Sequence, residues 1–361
     1  MKRTLGVVVT LVLLGGVAFA LIPDDKPAAV ETVTGEIGSE KDAFFQDPEV
    51  VAELKAKGLQ VQSTPIGSWS MNDVDVSKFD FAFPASKSAA NTLLDRLKIK
   101  STAIAPFTSP LVVLAHRPVA ELLQKNDMAA QDPNTNVWTL KMAPYLDALD
   151  KGRRWSDLKG AEDHKELGNG AIFVRTTDPT RSSSGSLYIA LLSYLQNNTQ
   201  VVSDEDGVQA TKGLLRKATV QQGDQQTSTG AQFTDFITNR GPLAFVYESQ
   251  AADVAVQGTA PEDMVVLYPD ITYVSDHTVV PMNPKGEKLA ALLRDDPKLV
   301  ELETKHGFRV NGQPAFLDRL KGKKGPVFAQ NIQSQVQLMP AVPETDLLKR
   351  MSDLAKGVVT K

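Results

Sequence analysis

Short apolar strands alternate with helices from residue 31 onward, and this alternation constrains the fold more than any other feature. The pattern predicts strands at 31–37, 59–63 and 79–83, and helices at 42–57 and 91–97. Strands separated by helices are typical of a parallel sheet, so we expect a largely parallel α/β fold. A chain of 361 residues exceeds what one core usually organises, and two lobes are expected.

The same alternation continues through the rest of the chain, without an internal repeat or a low-complexity run. The predicted elements are strands at 111–116, 138–140, 171–175, 243–250, 264–268 and 272–280, helices at 119–124, 143–149, 187–195, 230–239, 286–293, 297–306 and 345–355, and a polar surface segment at 200–211.

Serines follow three of the early strands. Ser39 comes after the first strand, Ser68 after the second and Ser86 after the third. In open parallel sheets, ligands bind outside the carboxyl ends of the strands, so these serines lie at candidate ligand positions. Each one taken singly also fits a turn or a helix cap.

The strongest local signal is a strand, a hydroxyl- and glycine-rich loop, and a helix at 171–195. The loop reads Thr177-Asp-Pro-Thr-Arg-Ser-Ser-Ser-Gly-Ser186. A helix N-terminus offers unpaired amides and about half a positive charge, serines add donors, and an arginine adds a fixed cation. The loop is therefore a candidate site for a small anion, and its alternative is a well-capped helix. The candidate ligand residues are Arg181, Ser182, Ser184, Gly185 and Ser186.

The first 22 residues have the pattern of a membrane-targeting segment. Lys2 and Arg3 precede an apolar run from Leu5 to Ile22, and Ala18-Phe-Ala20 fits a signal-peptide cleavage site. The run is also close to the length of about 20 residues that spans a bilayer, so an uncleaved anchor is the alternative. Residues 23–30 are a polar spacer. Either arrangement places the body of the chain outside the cytoplasm, in the periplasm, secreted, or tethered to the outer face of the membrane.

The composition excludes several classes of function. The net charge of −4 provides no basic patch of the kind that binds nucleic acid. The sequence contains no cysteine, which rules out disulfides, thiol chemistry and lipid attachment through cysteine.

Several motifs together resemble the extracytoplasmic solute-binding proteins of ABC importers that have the type II fold, in the molybdate-, sulfate- and phosphate-binding group. The motifs are Gly38-Ser39-Glu40, Ser109-Pro-Leu-Val-Val-Leu114, Trp155-Ser-Asp-Leu158, Asp178-Pro-Thr-Arg-Ser-Ser-Ser-Gly-Ser186 and Phe245-Val-Tyr-Glu-Ser249. The likeness spans nearly all of residues 31–310 as an ordered series of short motifs. The serine-rich turn lacks the internal Asp of the phosphate-binding relatives, which argues against phosphate itself.

The resemblance implies two α/β lobes joined by two crossing strands, with a small anion or oxyanion held between them. Lobe one would combine 31–112 with 265–320, lobe two would be 113–264, and the tail at 321–361 would pack on lobe one. The implied ligand contacts are Ser39, with Ser68 or Ser86, from lobe one, and the 181–186 turn with Tyr247 from lobe two. It further implies a monomer that delivers its solute to an ABC permease in the membrane, without a cofactor, a metal or catalysis.

Three alternatives remain at this point. An enzyme lacks support because neither a Gly-x-Ser-x-Gly elbow nor a Walker A motif is present, and because His164 and His277, each beside an aspartate, fit a surface position. Iron capture would rest on Tyr247 with Glu248, helped by Tyr268 or Tyr273. The third alternative is a membrane-anchored binding or sensor module of the cell envelope that is not coupled to import.

Overall fold

A computed structural model describes residues 30–239 and 241–358. The predicted targeting segment at 1–22 and most of the spacer lie outside the described residues. The strands are β1 (Glu31–Gly38), β2 (Leu59–Ile66), β3 (Phe81–Phe83), β4 (Ile104–His116), β5 (Ala129–Gln131), β6 (Trp138–Leu140), β7 (Leu243–Tyr247), β8 (Met264–Pro269), β9 (Ile271–Thr272), β10 (Val274–Pro281) and β11 (Gln337–Leu338).

Helices separate most of these strands, as the alternation predicts. They are α1 (Asp42–Gln46), α2 (Pro48–Ala56), α3 (Lys87–Leu97), α4 (Arg117–Lys125), α5 (Met142–Asp150), α6 (Ser183–Gln196), α7 (Glu205–Val220), α8 (Thr229–Asn239), α9 (Glu248–Gln257), α10 (Pro284–Asp295), α11 (Pro297–Lys305), α12 (Leu317–Leu320), α13 (Ile332–Gln335) and α14 (Thr345–Lys356). No helix within residues 30–239 and 241–358 has both the length and the apolar character that crossing a bilayer needs.

The long strand β4 belongs to two halves of the sheet. The strand order is β2-β1-β3-β10-β4-β8-β6-β5, with β7 also paired to β4. The start of β4 pairs with β10, whereas its end, from Leu111 to His116, pairs with β7 and β8. The chain returns between β8 and β10, where Leu111 N donates to Tyr273 O at 3.0 Å. We call the half with β1–β3, β10, α1–α3, α10 and α11 the first lobe, and the half with β5–β8 and α4–α9 the second lobe.

Each lobe has its own apolar core. Val33, Phe44 and Phe107 belong to a core between the first-lobe sheet and its helices. Tyr188 and Leu267 belong to the largest core, which lies mostly in the second lobe and extends to Trp69 and Ala85 of the first lobe. The strands β7 and β8 are buried along their whole length and read as continuous apolar runs.

Four local predictions are wrong in extent or type. The helix predicted at 42–57 is interrupted at Asp47, whose side chain caps α2 ahead of Pro48. The predicted strand at 171–175 forms only isolated bridges at its ends. Much of the segment predicted to be polar surface at 200–211 belongs to α7, which buries Val208 and Leu215. The strand predicted at 243–250 ends at Tyr247, where α9 begins.

The C-terminal segment packs on the second lobe, not on lobe one as the sequence predicts. Leu348, Met351 and Leu354 of α14 belong to the same core as the helices α6 and α7. Ile332 and Val336 pack with the core that contains β7 and α9. The apolar stripe of α14 therefore covers helices that would otherwise expose their own apolar side chains.

Candidate functional site

The carboxyl ends of β1, β2 and β3 lie together at one edge of the first lobe, because β1 pairs in parallel with both of its neighbours. Ser39 follows β1, Ser68 follows β2 and Ser86 follows β3. The hydroxyl of Ser68 accepts a hydrogen bond from Ala85 N at 2.9 Å, so it joins two of these loops. Ser86 caps α3 by accepting from Ala89 N at 3.3 Å.

The second lobe presents the N-terminus of α6 to the gap between the lobes. Ser182 is the N-cap residue and makes no side-chain capping bond. The amides of Ser183, Ser184 and Gly185 have no carbonyl partner within the helix, because the first turn of a helix leaves its N–H groups unpaired. A Cβ on Gly185 would lie 2.4 Å from the carbonyl oxygen of Thr177, so glycine lets the preceding loop pack against this turn.

The two lobes meet through hydroxyl groups. Ser86 Oγ lies 2.8 Å from Ser183 Oγ. Gly230 N, at the start of α8, donates to Ser39 Oγ at 2.8 Å. The N-terminal ends of α3, α6 and α8 therefore converge on one region between the lobes.

Trp69 fixes the serine-rich loop against the first lobe. Its indole Nε1 donates to Ser186 Oγ at 2.8 Å. The backbone amides of Trp69 and Ser70 both donate to the carbonyl oxygen of Arg181, at 2.9 and 3.1 Å. The Arg181 side chain is exposed. The loop thus lies between the lobes as predicted, but Arg181 contacts the first lobe through its carbonyl group and not through its guanidinium.

A network of neutral hydroxyls supports the N-terminus of α6. Ser184 Oγ is fully buried and lies 2.8 Å from Thr177 Oγ1, 3.0 Å from Thr229 Oγ1 and 3.2 Å from Ser182 Oγ. These hydroxyls can each reorient to donate or to accept. Because every member of this network is neutral, the network adds no formal charge to the partial positive charge of the helix N-termini.

A buried charged cluster lies directly after Ser39 and was missed by the sequence analysis. Lys41 forms an ion pair with Glu40, and His277 Nδ1 lies 3.2 Å from Glu40 Oε1 and 3.3 Å from Lys41 Nζ. The His277 ring packs against Phe107 at 5.5 Å between centroids. The prediction of a surface position for His277 is wrong, since this side chain is fully buried.

The protonation states of this cluster follow from burial and from its charges. Burial would raise the pKa of Glu40, but Lys41 and the His277 hydrogen bond outweigh it and lower the pKa to about 2. Burial lowers the pKa of Lys41 against the attraction of Glu40. Burial and then the charge of Lys41 lower the pKa of His277 to about 4. At neutral pH the Glu40 carboxyl is therefore ionised and paired with Lys41, and the His277 imidazole is neutral.

Tyr247 ends β7 and lies beside this cluster. Its ring centroid is 5.0 Å from that of His277, and its side chain is fully buried. Its hydroxyl lies close to Ser275 but forms no well-aligned hydrogen bond with it. Burial, followed by the nearby charge of Glu40, raises the pKa of Tyr247 well above its usual value. The phenol therefore stays protonated and retains a hydrogen to donate.

A cavity of about 400 Å³ opens between the lobes next to this cluster. The first lobe contributes Ser39, Glu40 and Asp42 to its wall, and the second lobe contributes Gly230 and Asp253. A volume of this size is within the usual range for small-molecule sites.

His306 joins the lobes at the same cavity. Its Nε2 lies 2.9 Å from Asp47 Oδ2, and its Nδ1 lies 3.0 Å from Asp253 Oδ1 in the second lobe. Lys305 Nζ is 2.8 Å from the same Asp47 oxygen. Burial would lower the pKa of His306, but Asp253 and Asp47 outweigh it and raise the pKa. The imidazolium form thus bridges two carboxylates across the lobes.

Glu248 and Tyr268, two of the side chains considered for iron, are engaged with each other and with Arg309. Both oxygens of Glu248 accept hydrogen bonds from Arg309, and Tyr268 donates its hydroxyl to Glu248. No group of three or more His, Cys, Asp or Glu side chains within residues 30–239 and 241–358 is placed to hold a metal ion.

No family model and no curated protein matches this sequence. Solved structures do match its fold. A periplasmic thiamin-binding protein matches with a TM-score of 0.57 at 10% identity, covering 94% of this chain and 100% of that one. A putative spermidine/putrescine ABC transporter protein from Listeria monocytogenes matches with a TM-score of 0.57 at 11% identity, covering 91% and 98%.

The sulfate-binding protein SubI from Mycobacterium tuberculosis H37Rv matches with a TM-score of 0.51 at 13% identity, covering 91% of this chain and 99% of that one. These likenesses confirm the predicted two-lobed fold of periplasmic binding proteins. The solutes named for these proteins are cationic and anionic alike, so the fold alone does not select the ligand.

Proposed function

We propose that this chain is an extracytoplasmic receptor that captures a small solute between its lobes and delivers it to an ABC-type permease, without catalysing a reaction. The observation that carries the proposal is the meeting of strand-end loops and helix N-termini from both lobes at Ser86 and Ser183, 2.8 Å apart. A site divided between two lobes can open to admit a solute and close around it.

We further propose that the solute is a small anion or oxyanion. A closed cleft removes the water around the solute, so each of its oxygens needs a protein donor. The amides of the α6 N-terminus and the hydroxyls of Ser86, Ser182, Ser183 and Ser184 supply such donors. The dipole of α6 adds positive potential at the same point. These contacts would be gained as the direct contact between Ser86 and Ser183 opens to admit the solute.

The remaining candidate residues divide into contacts and supports. We propose Ser39, Gly185 and Tyr247 as further contacts, because Ser39 lines the cavity and Tyr247 has a hydroxyl hydrogen to donate. Ser68 and Ser186 act as supports, because their hydroxyls already accept bonds from Ala85 N and from Trp69 Nε1.

The second candidate solute is a cation, and the cavity itself favours it. Glu40, Asp42 and Asp253 line this cavity together with His306, and its wall contains neither lysine nor arginine. A cation would then bind beyond Ser39, on the carboxylate side of the cleft, and the serine network would only hold the lobes together.

Native mass spectrometry of freshly purified protein, followed by a thermal-shift screen, tests the proposal. The screen compares sulfate, molybdate, phosphate and acetate with spermidine and thiamin. A bound solute raises the melting temperature in proportion to the logarithm of its concentration above its dissociation constant. Stabilisation by an anion supports the first candidate, stabilisation by a cation supports the second, and no stabilisation by any small solute contradicts the receptor function.

A pair of serine variants then locates the solute. Ser183→Ala removes a hydroxyl at the interlobe contact, and Ser193→Ala removes a buried hydroxyl further along the same helix, where it bonds only to Ala190 O. A hydrogen bond to a charged group contributes about 1.5–3 kcal/mol, so calorimetry of the anion identified should show at least a tenfold loss for Ser183→Ala. Ser193→Ala should bind normally. Equal affinities in both variants would place the solute elsewhere.

The N-terminal segment decides between a released receptor and a tethered module. Export with cleavage near Ala20 is the expectation for a released receptor. N-terminal sequencing of the mature protein from the cell envelope checks it directly. An intact Met1 or Lys2 start would show an anchored protein instead.

A further inference from the structure

A second large cavity lies away from the serine-rich site. Its volume is about 590 Å³, and its wall consists of Thr108, Val274, Arg309, Asn311, Gly312, Gln313, Gln330, Asn331, Ile332, Gln333 and Leu338. From this wall we propose a second solute site that binds a small hydroxylated carboxylate. It is independent of the proposed function of the interlobe cleft.

Strand register places this cavity on the other face of the crossing strands. Thr108 pairs with Asp276 and Ser109 pairs with Ser275 in the antiparallel ladder of β4 and β10. Successive side chains of a strand point to opposite faces, and paired residues point to the same face. Thr108 therefore points away from Ser109 and Ser275, whose hydroxyls bond to α9 and to the loop after β3. A ligand here would not compete for the interlobe cleft.

Arg309 supplies a buried cation at this cavity. The residue is 1% exposed, and its Nε and Nη2 donate to the two oxygens of Glu248 at 2.6 and 2.7 Å. Nη2 also donates to Ala329 O at 2.7 Å. Nη1 has no hydrogen-bond partner among residues 30–239 and 241–358. The guanidinium is planar, so Nη1 points away from the carboxylate edge, and its two hydrogens are buried without a partner.

The rim of the cavity has the chemistry that recognises hydroxyl groups. Five carboxamide side chains, those of Asn311, Gln313, Gln330, Asn331 and Gln333, are exposed around it. Each carboxamide both donates and accepts, as a hydroxyl does. The wall itself contains no carboxylate and no lysine. The carboxylate of Glu248 pairs with Nε and Nη2 of the guanidinium and leaves Nη1 for a ligand carboxylate.

The site also joins parts of the chain that belong to different lobes. Thr108 lies in the part of β4 that pairs with β10 of the first lobe. Ile332 packs in the core that contains Val246 and Phe236 of the second lobe. A ligand that contacts both would favour one arrangement of the lobes over another, provided that it binds that arrangement more tightly.

Calorimetry with gluconate tests the proposal on the full chain. Sorbitol is the probe that lacks the carboxylate, and glucosamine is the probe that carries a cation. Gluconate should bind one molecule per chain, and sorbitol should bind at least tenfold more weakly because Nη1 would lose its charged partner. Glucosamine should not bind.

Rim variants make the test specific, because Arg309 itself holds a buried ion pair and its replacement could prevent folding. Asn311→Ala and Gln333→Ala should each weaken gluconate by about two- to tenfold, the effect of one lost hydrogen bond. Gln337→Ala, an exposed carboxamide of the same segment outside the cavity wall, should have no effect. Ser183→Ala, in the interlobe cleft, should also leave gluconate binding unchanged.

Three results would overturn the second site. They are no binding of gluconate, equal binding of gluconate and sorbitol, and gluconate binding that Ser183→Ala weakens while the rim variants do not. The last result would assign gluconate to the interlobe cleft. If only the cleft proposal fails, the rim variants should still weaken gluconate binding and Ser183→Ala should still leave it unchanged.

Discussion

Gly185 offers a sharp test of how the serine-rich loop packs against α6. A Cβ at this position would lie 2.4 Å from the carbonyl oxygen of Thr177 and 2.9 Å from the backbone of Pro179. Both neighbours are backbone atoms, so they cannot rotate away as a side chain would. Overpacking of this kind costs about 1–3 kcal/mol, and we expect Gly185→Ala to lower the free energy of unfolding by that amount.

Gly213 provides a control of opposite sign. It lies inside α7, and an added Cβ would meet no atom within 4 Å. Alanine is favoured over glycine by about 0.5–1 kcal/mol in a helix, so Gly213→Ala should stabilise the protein by about that amount.

Urea unfolding followed by circular dichroism measures both variants. The expected order of midpoints is Gly185→Ala below the parent protein and Gly213→Ala above it. The reasoning would be refuted if Gly185→Ala unfolded at the same urea concentration as the parent or at a higher one. That result would mean that the loop does not pack against the first turn of α6.

Three further predictions follow from contacts between the lobes. In a double-mutant cycle, Ser86→Ala and Ser183→Ala should show a coupling of about 1 kcal/mol in the free energy of unfolding, because the two serine hydroxyls share one buried hydrogen bond. Additive effects of the two substitutions would contradict that contact. The two carboxylates raise the folded pKa of His306, so the stability they add should be complete below its unfolded pKa of about 6.5 and be lost as pH rises through the folded pKa. Unfolding measured from pH 6 to 9 should show this loss in the parent protein but not in His306→Gln. Equal pH profiles of the two proteins would contradict it. Arg181→Ala should change anion affinity less than threefold by calorimetry, because its side chain is exposed; a tenfold loss would restore the contact that the sequence predicts.

The sequence predicted the architecture well because the sheet depends on local patterns. The strand at Trp138–Leu140 and the parallel strands of the first lobe follow from apolar runs separated by helices. The convergence of Ser39 and Ser86 at one edge follows from the direction of parallel strands. These inferences need only the pattern of the chain and the rules of α/β folds.

The errors occur where distant residues decide the local structure. The strand predicted at 243–250 ends at Tyr247 because a helix begins at Glu248, whose side chain forms an ion pair with Arg309, 61 residues away. His277 is buried because it contacts Lys41, 236 residues earlier in the chain. Nothing next to these residues in the sequence indicates such partners. The α7 helix was missed for a different reason, since its polar start conceals the buried apolar residues that follow.

Arg181 shows why residue type does not establish a role. Arginine in a serine-rich loop is typical of anion sites, and the loop does lie between the lobes. The backbone carbonyl of this residue makes the contact with Trp69, which leaves the side chain in solvent. The direction of a side chain depends on the loop's conformation, which its composition does not specify.

A crystal structure of the protein with the solute that the screen identifies would test capture between the two lobes most directly. The account predicts density for that solute enclosed by both lobes, within hydrogen-bond distance of the α6 amides and of the Ser86 hydroxyl. A solute bound to the outer surface of either lobe, with Ser86 and Ser183 still in direct contact, would contradict it.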